Sequence, residues 1–590
     1  MKSGDGTTRH GIEQIRRRLR EEAESISSGR NYQPSLDRRT FLLGSLATGV
    51  SWTRMVSSQG TATPGASPMA TPVASIELME NPFTLGIASG EPVPDGMVLW
   101  TRLAPQPFEP HGGMPDASVE LAYEIANDER FTDIVQQGPA IADAAWAHSV
   151  HLEVTGLEPD RWYWYRFRIG EFDSLIGRTR TAPAPGASSE GLRFAFASCQ
   201  RWEDGLFTAF RDMVQQDVDL VIHLGDYIYE YTVRVIAELR DIEVPPTALS
   251  EIRTLDDYRM RYALYKLDPH LQEAHRVAPW MVTWDDHEVS NNYIVPIIAD
   301  DPFAKPLIER REAAYRAYYE HQPLRASATP KGPSLRLYRA AEFGDLVRFN
   351  VLDERQYRTP GMGVCGAGER EELDGFCASA VDPDRTMLGE QQKQWLLDGF
   401  TQTTTRWNVL AQQVPMARID YDPSAAGKSF GGEDLDKWDG YAYERDQVLA
   451  AMAHAAKVQS FSPVVITGDV HANFVWNLKR DWDAPRGESI IGTEFVGTSI
   501  ASNGDDPLKE DGEFSTRCGN LRGNTHNLLF DNHRGYVLCD LTPDQWHTTY
   551  RVMPTVEDPD AIASTLTSFV VEHDQPGAQM DQTCHAGGPA

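Results

Sequence analysis

Five short apolar runs in this chain each end in side chains that bind metals, and few folds accommodate that pattern. They are RFAFASC ending at Cys199, VIHLGDYIY through Asp226 and Tyr229, MVTWDDHE through Asp285, Asp286 and His287, LVRFNVLDER at Asp353, and VVITGDVH through Asp469 and His471. Each run is apolar over most of its length, as a strand covered on both faces must be. Each also keeps its polar residues at its carboxyl end. In open α/β sheets the carboxyl ends of the strands line the crevice that holds ligands and metals. The five segments are therefore expected to converge on one sheet edge.

Around these runs the pattern divides the chain. Residues 79–185 contain short alternating runs rich in Val, Trp and Tyr (GMVLWTRL, VELAYEIA, HSVHLEVTGL, RWYWYRFRIG) separated by Gly, Pro and Asp turns. This predicts an antiparallel β-sandwich. Its TGLEPDRWYWYRFRIG segment resembles the tyrosine corner of immunoglobulin-like and fibronectin-like domains. Residues 190–555 alternate strand-like runs with helical stretches such as LFTAFRDMVQQD, QQKQWLLDGF and YERDQVLAAMAHAA. That alternation predicts an α/β domain with a buried sheet. Residues 556–590 read as a C-terminal extension.

Residues 1–78 read as a basic leader, an export signal and a linker. Arg38 and Arg39 stand directly before a moderately apolar stretch, Phe41 to Val50, too short and too rich in Gly, Ser and Thr to span a bilayer. This is the pattern of a twin-arginine signal, so the translocation machinery that reads it is an expected partner. The expected location is periplasmic, extracellular or cell-wall associated, with no transmembrane anchor. That route carries folded proteins, which lets a metal site be loaded before export.

Charge narrows the partners. The 590 residues carry 55 Lys and Arg against 86 Asp and Glu, a net −31. Binding to a nucleic-acid scaffold or an anionic membrane needs clustered basic residues, so neither is expected. Six cysteines are too few to staple so long a chain. Cys365 and Cys377 flank a Gly-rich loop and suit a local bridge in an oxidising compartment, while Cys518, Cys539 and Cys584 have no assigned partner. Cys199 is either a small buried apolar side chain or a thiolate ligand.

The strand-end residues suggest chemistry. Asp226 and Tyr229 offer two hard oxygens three residues apart; a carboxylate can bridge two metals, and a phenolate favours a trivalent centre such as Fe³⁺. Their structural alternative is a helix-capping Asp with a packed Tyr. His471 adds a nitrogen beside Asp469. Asp285, Asp286, His287 and Glu288 are four ionisable groups in a row after a buried strand, and they need counter-charge. Asp353 either binds calcium or holds Arg355.

Six ordered motifs, FASCQ, HLGDYIYEY, TWDDHEVSNN, LDERQYR, ITGDVHANF and EFVGTSIAS, resemble the PhoD-type alkaline phosphatase/phosphodiesterases. These are exported bacterial enzymes with a β-sandwich before a calcineurin-like metallophosphoesterase domain, and the resemblance covers nearly the whole chain. It implies an α/β fold, a four-layer metallophosphoesterase sandwich, preceded by an all-β immunoglobulin/fibronectin-like domain. It also implies Fe³⁺ and Ca²⁺ as cofactors. Cys199, Asp226, Tyr229 and His471 would surround iron, with Asp226, Asp286 and Asp469 on the calcium side.

The chain departs from the purple acid phosphatase pattern in an informative way. Where that pattern has Gly-Asn-His-Glu, this chain has Asp285-Asp286-His287-Glu288, and where it has Gly-His-x-His, this chain has Gly468-Asp469-Val470-His471. The third histidine corresponds to Gln413 in WNVLAQQVP. Each change replaces nitrogen by oxygen at the second metal, which disfavours Zn²⁺ and suits Ca²⁺.

The expected substrate is a phosphomonoester or phosphodiester, attacked in line at phosphorus by hydroxide that the metals activate. His287 would donate a proton to the leaving oxygen or steady the phosphate. Asn291, Asn292, Arg355 and Arg358 would bind substrate oxygens, with a salt bridge to Asp353 or Glu354 as the alternative for the two arginines. The rival readings are a purple-acid-type phosphomonoesterase with two transition metals, and an exported binding protein with an inert site.

Overall fold

The computed structural model describes residues 78–233, 239–240, 242–293, 305–359, 378–419, 435–504 and 524–581. The twin-arginine segment, Cys365, Cys377, Cys518 and Cys584 lie outside the described residues.

Two sheets stack face to face at the centre. The first runs, edge to edge, Gln575–Met580, Ser564–Glu572, Gln545–Val552, Gly535–Leu541, Leu192–Ala197, Leu220–His223, Trp280–Val282, Ile87–Val93, Gly96–Arg102 and Ser149–Val154. The second runs Arg339–Phe343, Val347–Val351, Trp407–Gln412, Ser462–Thr467, Ile490–Val496, Asn473–Lys479 and Asn527–Asp531. In both, the central strands that carry the site pair in parallel.

Side-chain alternation explains the layering. In Leu192–Ala197 the even positions Leu192, Phe194 and Phe196 enter the core between the sheets, together with Phe349, Val409, Val464 and Phe495 from the opposite sheet. The odd positions Ala195 and Ala197 face a second core, built with Phe210, Tyr258, Tyr262, Leu271 and Tyr315. These come from helices Thr208–Val214, Leu255–Lys266, Pro269–Val277 and Lys305–His321. Leu410, Val465 and Trp476 of the second sheet pack on helices Gly389–Gln402 and Ala442–Gln459. Helices, sheet, sheet and helices make the four expected layers, and their two-sided burial accounts for the nearly continuous apolar runs.

The N-terminal region is the expected β-sandwich. Ile87, Met97, Leu99 and Val150 pack against Leu121, Ile125, Tyr163, Tyr165 and Phe167 of the facing sheet. The tyrosine corner is present: the Glu158 amide donates to the Tyr163 hydroxyl at 2.9 Å. Its inner sheet, however, is continuous with the first central sheet, through a parallel bridge between Gly90 and Trp280. A Cβ at Gly90 would sit 2.7 Å from the carbonyl oxygens of Pro323 and Trp280, so only glycine allows this approach. The segment after residue 555 differs from a simple tail. STLTSFVVEHDQPGAQM forms the strands Ser564–Glu572 and Gln575–Met580, which extend the far edge of the same sheet.

Candidate metal centre

The parallel strands end side by side, and their last residues turn sharply. Cys199, Asp226, Asp469 and His471 all have left-handed backbones, with φ of 58°, 55°, 66° and 52°. Non-glycine residues held in this region cost free energy and mark sites where aim matters more than comfort. Gly225 makes the turn before Asp226 possible: its φ is +112°, and a Cβ there would lie 2.5 Å from the Asp285 Cβ. Main-chain bonds tie the ends together, from the Cys199 amide to the Gly225 carbonyl at 3.1 Å and from the Ser502 amide to the Cys199 carbonyl at 3.2 Å.

Three groups of ligating atoms result, each within 4.8 Å: Cys199, Asp226 and His471; Asp226, Asp286 and His287; Asp285, Asp286 and Asp469. Asp226 belongs to the first two and Asp286 to the last two, so the groups form one chain of adjoining sites. Tyr229 joins the first: its hydroxyl donates to Asp226 Oδ2 at 2.9 Å and lies 3.1 Å from His471 Nε2. His471 Nδ1 is 2.6 Å from the Asn503 carbonyl oxygen, which leaves Nε2 facing the site.

The donor set fits metal ions. Burial, then the nearby Asp226 carboxylate, push the Cys199 thiol and the Tyr229 phenol well above their ordinary values, and burial with neighbouring charge raises Asp226 and Asp285. To stand ionised in so dry a place, these acids need cations beside them. Asp285 Oδ2 is buried without a hydrogen-bond partner. Sulfur, phenol, carboxylate and imidazole in the first group suit a trivalent transition ion, and the all-carboxylate third group suits a hard divalent one.

His287 is oriented by a residue that sequence reasoning passed over. Its Nδ1 lies 2.7 Å from Glu230 Oε2, and its ring stacks on Tyr229 at 4.2 Å. Burial alone would depress the imidazole, but Asp286 and Asp226 outweigh it and hold the pKa well above the ordinary value. Glu288 ties two strand ends together by accepting from the amides of Asp226 and Asp285 at 3.0 and 2.7 Å, and from that of Tyr227. Both glutamates stand inside motifs already singled out, so their proximity to the ligands was the available signal.

The residues expected to bind substrate have other engagements. The fully buried Arg355 side chain contacts Asp285 and Asp436, with Asp469 at 3.3 Å and Asp286 at 3.6 Å. Arg358 pairs with Asp436 at 2.8 Å rather than with Asp353 or Glu354. The Asn292 amide hydrogen is given to Asp286, and its side-chain amide reaches Asp286 and Asp436 at 3.1 and 3.2 Å. The Asn291 amide donates to Glu230 at 2.7 Å, while its side chain is exposed. Asp436, which collects both arginines, was missed because it comes from a loop with no apolar run before it.

Asp353 and Gln413 have their polar atoms engaged in hydrogen bonds. Asp353 stands outside the three ligand groups. Its oxygens accept from Trp284 Nε1 at 2.9 Å, from the Gln356 side chain at 2.9 Å, and from the amides of Arg355 and Gln356 at 3.2 and 3.0 Å. It shapes the loop that carries Arg355. Gln413, which stands where the third histidine was expected, donates its amide to Thr283 at 2.8 Å and Leu352 at 2.9 Å and accepts from the Glu354 amide at 2.9 Å. With its oxygen and nitrogen so engaged, it braces the strand ends from below.

Comparison with known proteins places these features. The family model for the PhoD-like phosphatase matches residues 194–550, and that for the PhoD-like phosphatase N-terminal domain matches residues 69–183. Alkaline phosphatase D of Bacillus subtilis (strain 168) is 44% identical over 512 residues, spanning 86% of this chain and 84% of the relative. The solved structure of PhoD is 43% identical and superposes with a TM-score of 0.75, covering 86% of this chain and 93% of that one.

Proposed function

Because the chain belongs to the PhoD-like phosphatase family, we propose that it is an exported, metal-dependent hydrolase of phosphomonoesters and phosphodiesters that uses Fe³⁺ and Ca²⁺. The observation that carries this reading is the sharing of Asp226 and Asp286 between adjoining ligand groups, as a two-metal centre requires. Cys199, Asp226, Tyr229 and His471 would hold iron; Asp226, Asp285, Asp286 and Asp469 would hold calcium. When bound, these ions supply positive charge to a phosphoryl group and lower the pKa of water.

The protein's own residues do the rest. Glu230 fixes His287 through Nδ1, so Nε2 is the nitrogen that can carry a proton to the leaving oxygen. Arg355 and Arg358 keep the crowded carboxylates in place through Asp436. Asn292 holds Asp286 from the other side.

Elemental analysis of the purified protein, with hydrolysis of a chromogenic phosphodiester at alkaline pH with and without a calcium chelator, tests the proposal. Iron and calcium with chelator-sensitive turnover support it. Zinc or manganese without calcium supports a purple-acid-type enzyme, and no turnover with metals bound supports a binding protein. Export is tested separately: Arg38→Lys with Arg39→Lys should retain the protein in the cytoplasm, and unchanged export would remove the twin-arginine assignment.

A further inference from the structure

The proton-donating side of the centre has a second layer that hydrolysis as described leaves unused. His287 stacks on Tyr229, which is buried, and meets Tyr231 edge-on at 5.4 Å. Tyr231 is 37% exposed. Among the described residues Tyr231 and Tyr443 are the large aromatic side chains left exposed, and Tyr231 is the one packed on His287. The Arg201 guanidinium lies 5.2 Å from the Tyr231 ring centre and 6.0 Å from that of Tyr229.

This pair is built into the centre. Glu203 holds Arg201 at 2.7 Å and Asp204 lies 3.8 Å away, yet the Arg201 side chain stays 26% exposed. Its amide donates to Ser502 Oγ at 2.9 Å, and that same hydroxyl donates to the Tyr229 hydroxyl at 2.9 Å. A displacement of the metal-side phenol would therefore be felt by the rim. The rim offers a flat ring and a planar cation next to the residue that protonates the leaving oxygen. Such surfaces stack on π-faces and discriminate little among small alkyl groups.

We propose that Tyr231 and Arg201 form the subsite for the leaving side of the substrate and select ester substituents bearing a planar, π-rich group. This rests on the phosphoester-hydrolase reading and adds a substrate preference to it. The test uses the metal-loaded full chain with phenylphosphonate and methylphosphonate as competitive inhibitors of p-nitrophenyl phosphate hydrolysis. Tyr231→Ala should raise the inhibition constant for phenylphosphonate about tenfold more than that for methylphosphonate. Tyr231→Phe should keep the wild-type ratio, and Arg201→Met should shift it in the same direction as Tyr231→Ala.

Equal changes for both inhibitors in Tyr231→Ala would show that the ring only supports His287, and would overturn the subsite. Loss of discrimination in Tyr231→Phe would overturn stacking as its basis. If Tyr231→Ala does not fold, Tyr231→Leu carries the same comparison. A metal-loaded wild-type protein that hydrolyses no p-nitrophenyl phosphate overturns the functional reading and this preference with it. An active enzyme with indifferent variants overturns the preference alone.

Discussion

Glu230 and His287 form a buried pair in which a carboxylate oxygen sits 2.7 Å from an imidazole nitrogen. The pair fixes which nitrogen faces the reacting centre. Glu230→Gln should leave metal content unchanged and lower kcat by about 10- to 100-fold for alkyl phosphates, whose leaving oxygen needs a proton. The loss should shrink for p-nitrophenyl phosphate, whose leaving group departs unprotonated. A uniform loss across a leaving-group series would contradict the proton-donor role.

Arg355 is the cation among four aspartates. Arg355→Met should destabilise the metal-free protein by about 3–5 kcal/mol, the cost typical of stripping one partner from a buried charge network. Calcium should restore most of that loss, because it supplies the missing charge. Melting curves in chelator and in calcium would decide it; equal midpoints for variant and wild type in chelator would refute the idea.

Tyr229 reaches both Asp226 and His471. In Tyr229→Phe the iron complement and any visible phenolate absorption should fall together, with turnover down at least tenfold. An unchanged visible spectrum would remove the phenol from the proposed iron site. Cys199→Ser should likewise lose iron.

At Gly225 the turn before Asp226 leaves no room for a methyl group. Gly225→Ala combines a strained backbone with a 2.5 Å approach to Asp285, and should cost about 2–4 kcal/mol in denaturant unfolding. Turnover should fall as well, since Asp226 and Asp285 must shift. A variant with the wild-type midpoint would show that the turn relaxes freely.

Lys266, at the end of helix Leu255–Lys266, is buried over the Trp100 and Tyr227 rings at 4.3 and 5.2 Å. Burial pushes its ammonium from 10.5 down to about 7. It also helps hold the buried histidines His223 and His275 neutral, although their burial is the larger cause. Between pH 7 and 10.5 the unfolded chain binds a proton on this lysine that the folded chain refuses, so stability should rise with pH across that window. Lys266→Met should flatten the rise. Urea midpoints at stepped pH values measure it, and an unaltered slope would mean that another group is responsible.

Much of this was readable from the chain because two-sided burial leaves a plain mark. The apolar runs ending at Cys199, Asp226 and Asp286 became adjacent parallel strands of the first sheet, the run ending at Asp469 became a parallel strand of the second, and their terminal side chains met. Asp353 showed the same mark but turned inward, because strand-end position does not reveal which way a carboxylate points. The Gly90–Trp280 bridge was invisible because one close backbone contact has no periodicity. Asp436 was hidden for a related reason: a loop residue gains its role from where the chain happens to return.

The far edge of the first sheet has a consequence for biosynthesis. Strand Gly535–Leu541 pairs with Leu192–Ala197, the strand that delivers Cys199, and three later strands lie outside it. While the ribosome is still making the last part of the polypeptide, that Cys199-bearing strand lacks its neighbour. Until Gly535–Leu541 has been made, the nascent chain can offer the cell only an incomplete cage, so metal insertion should await that strand.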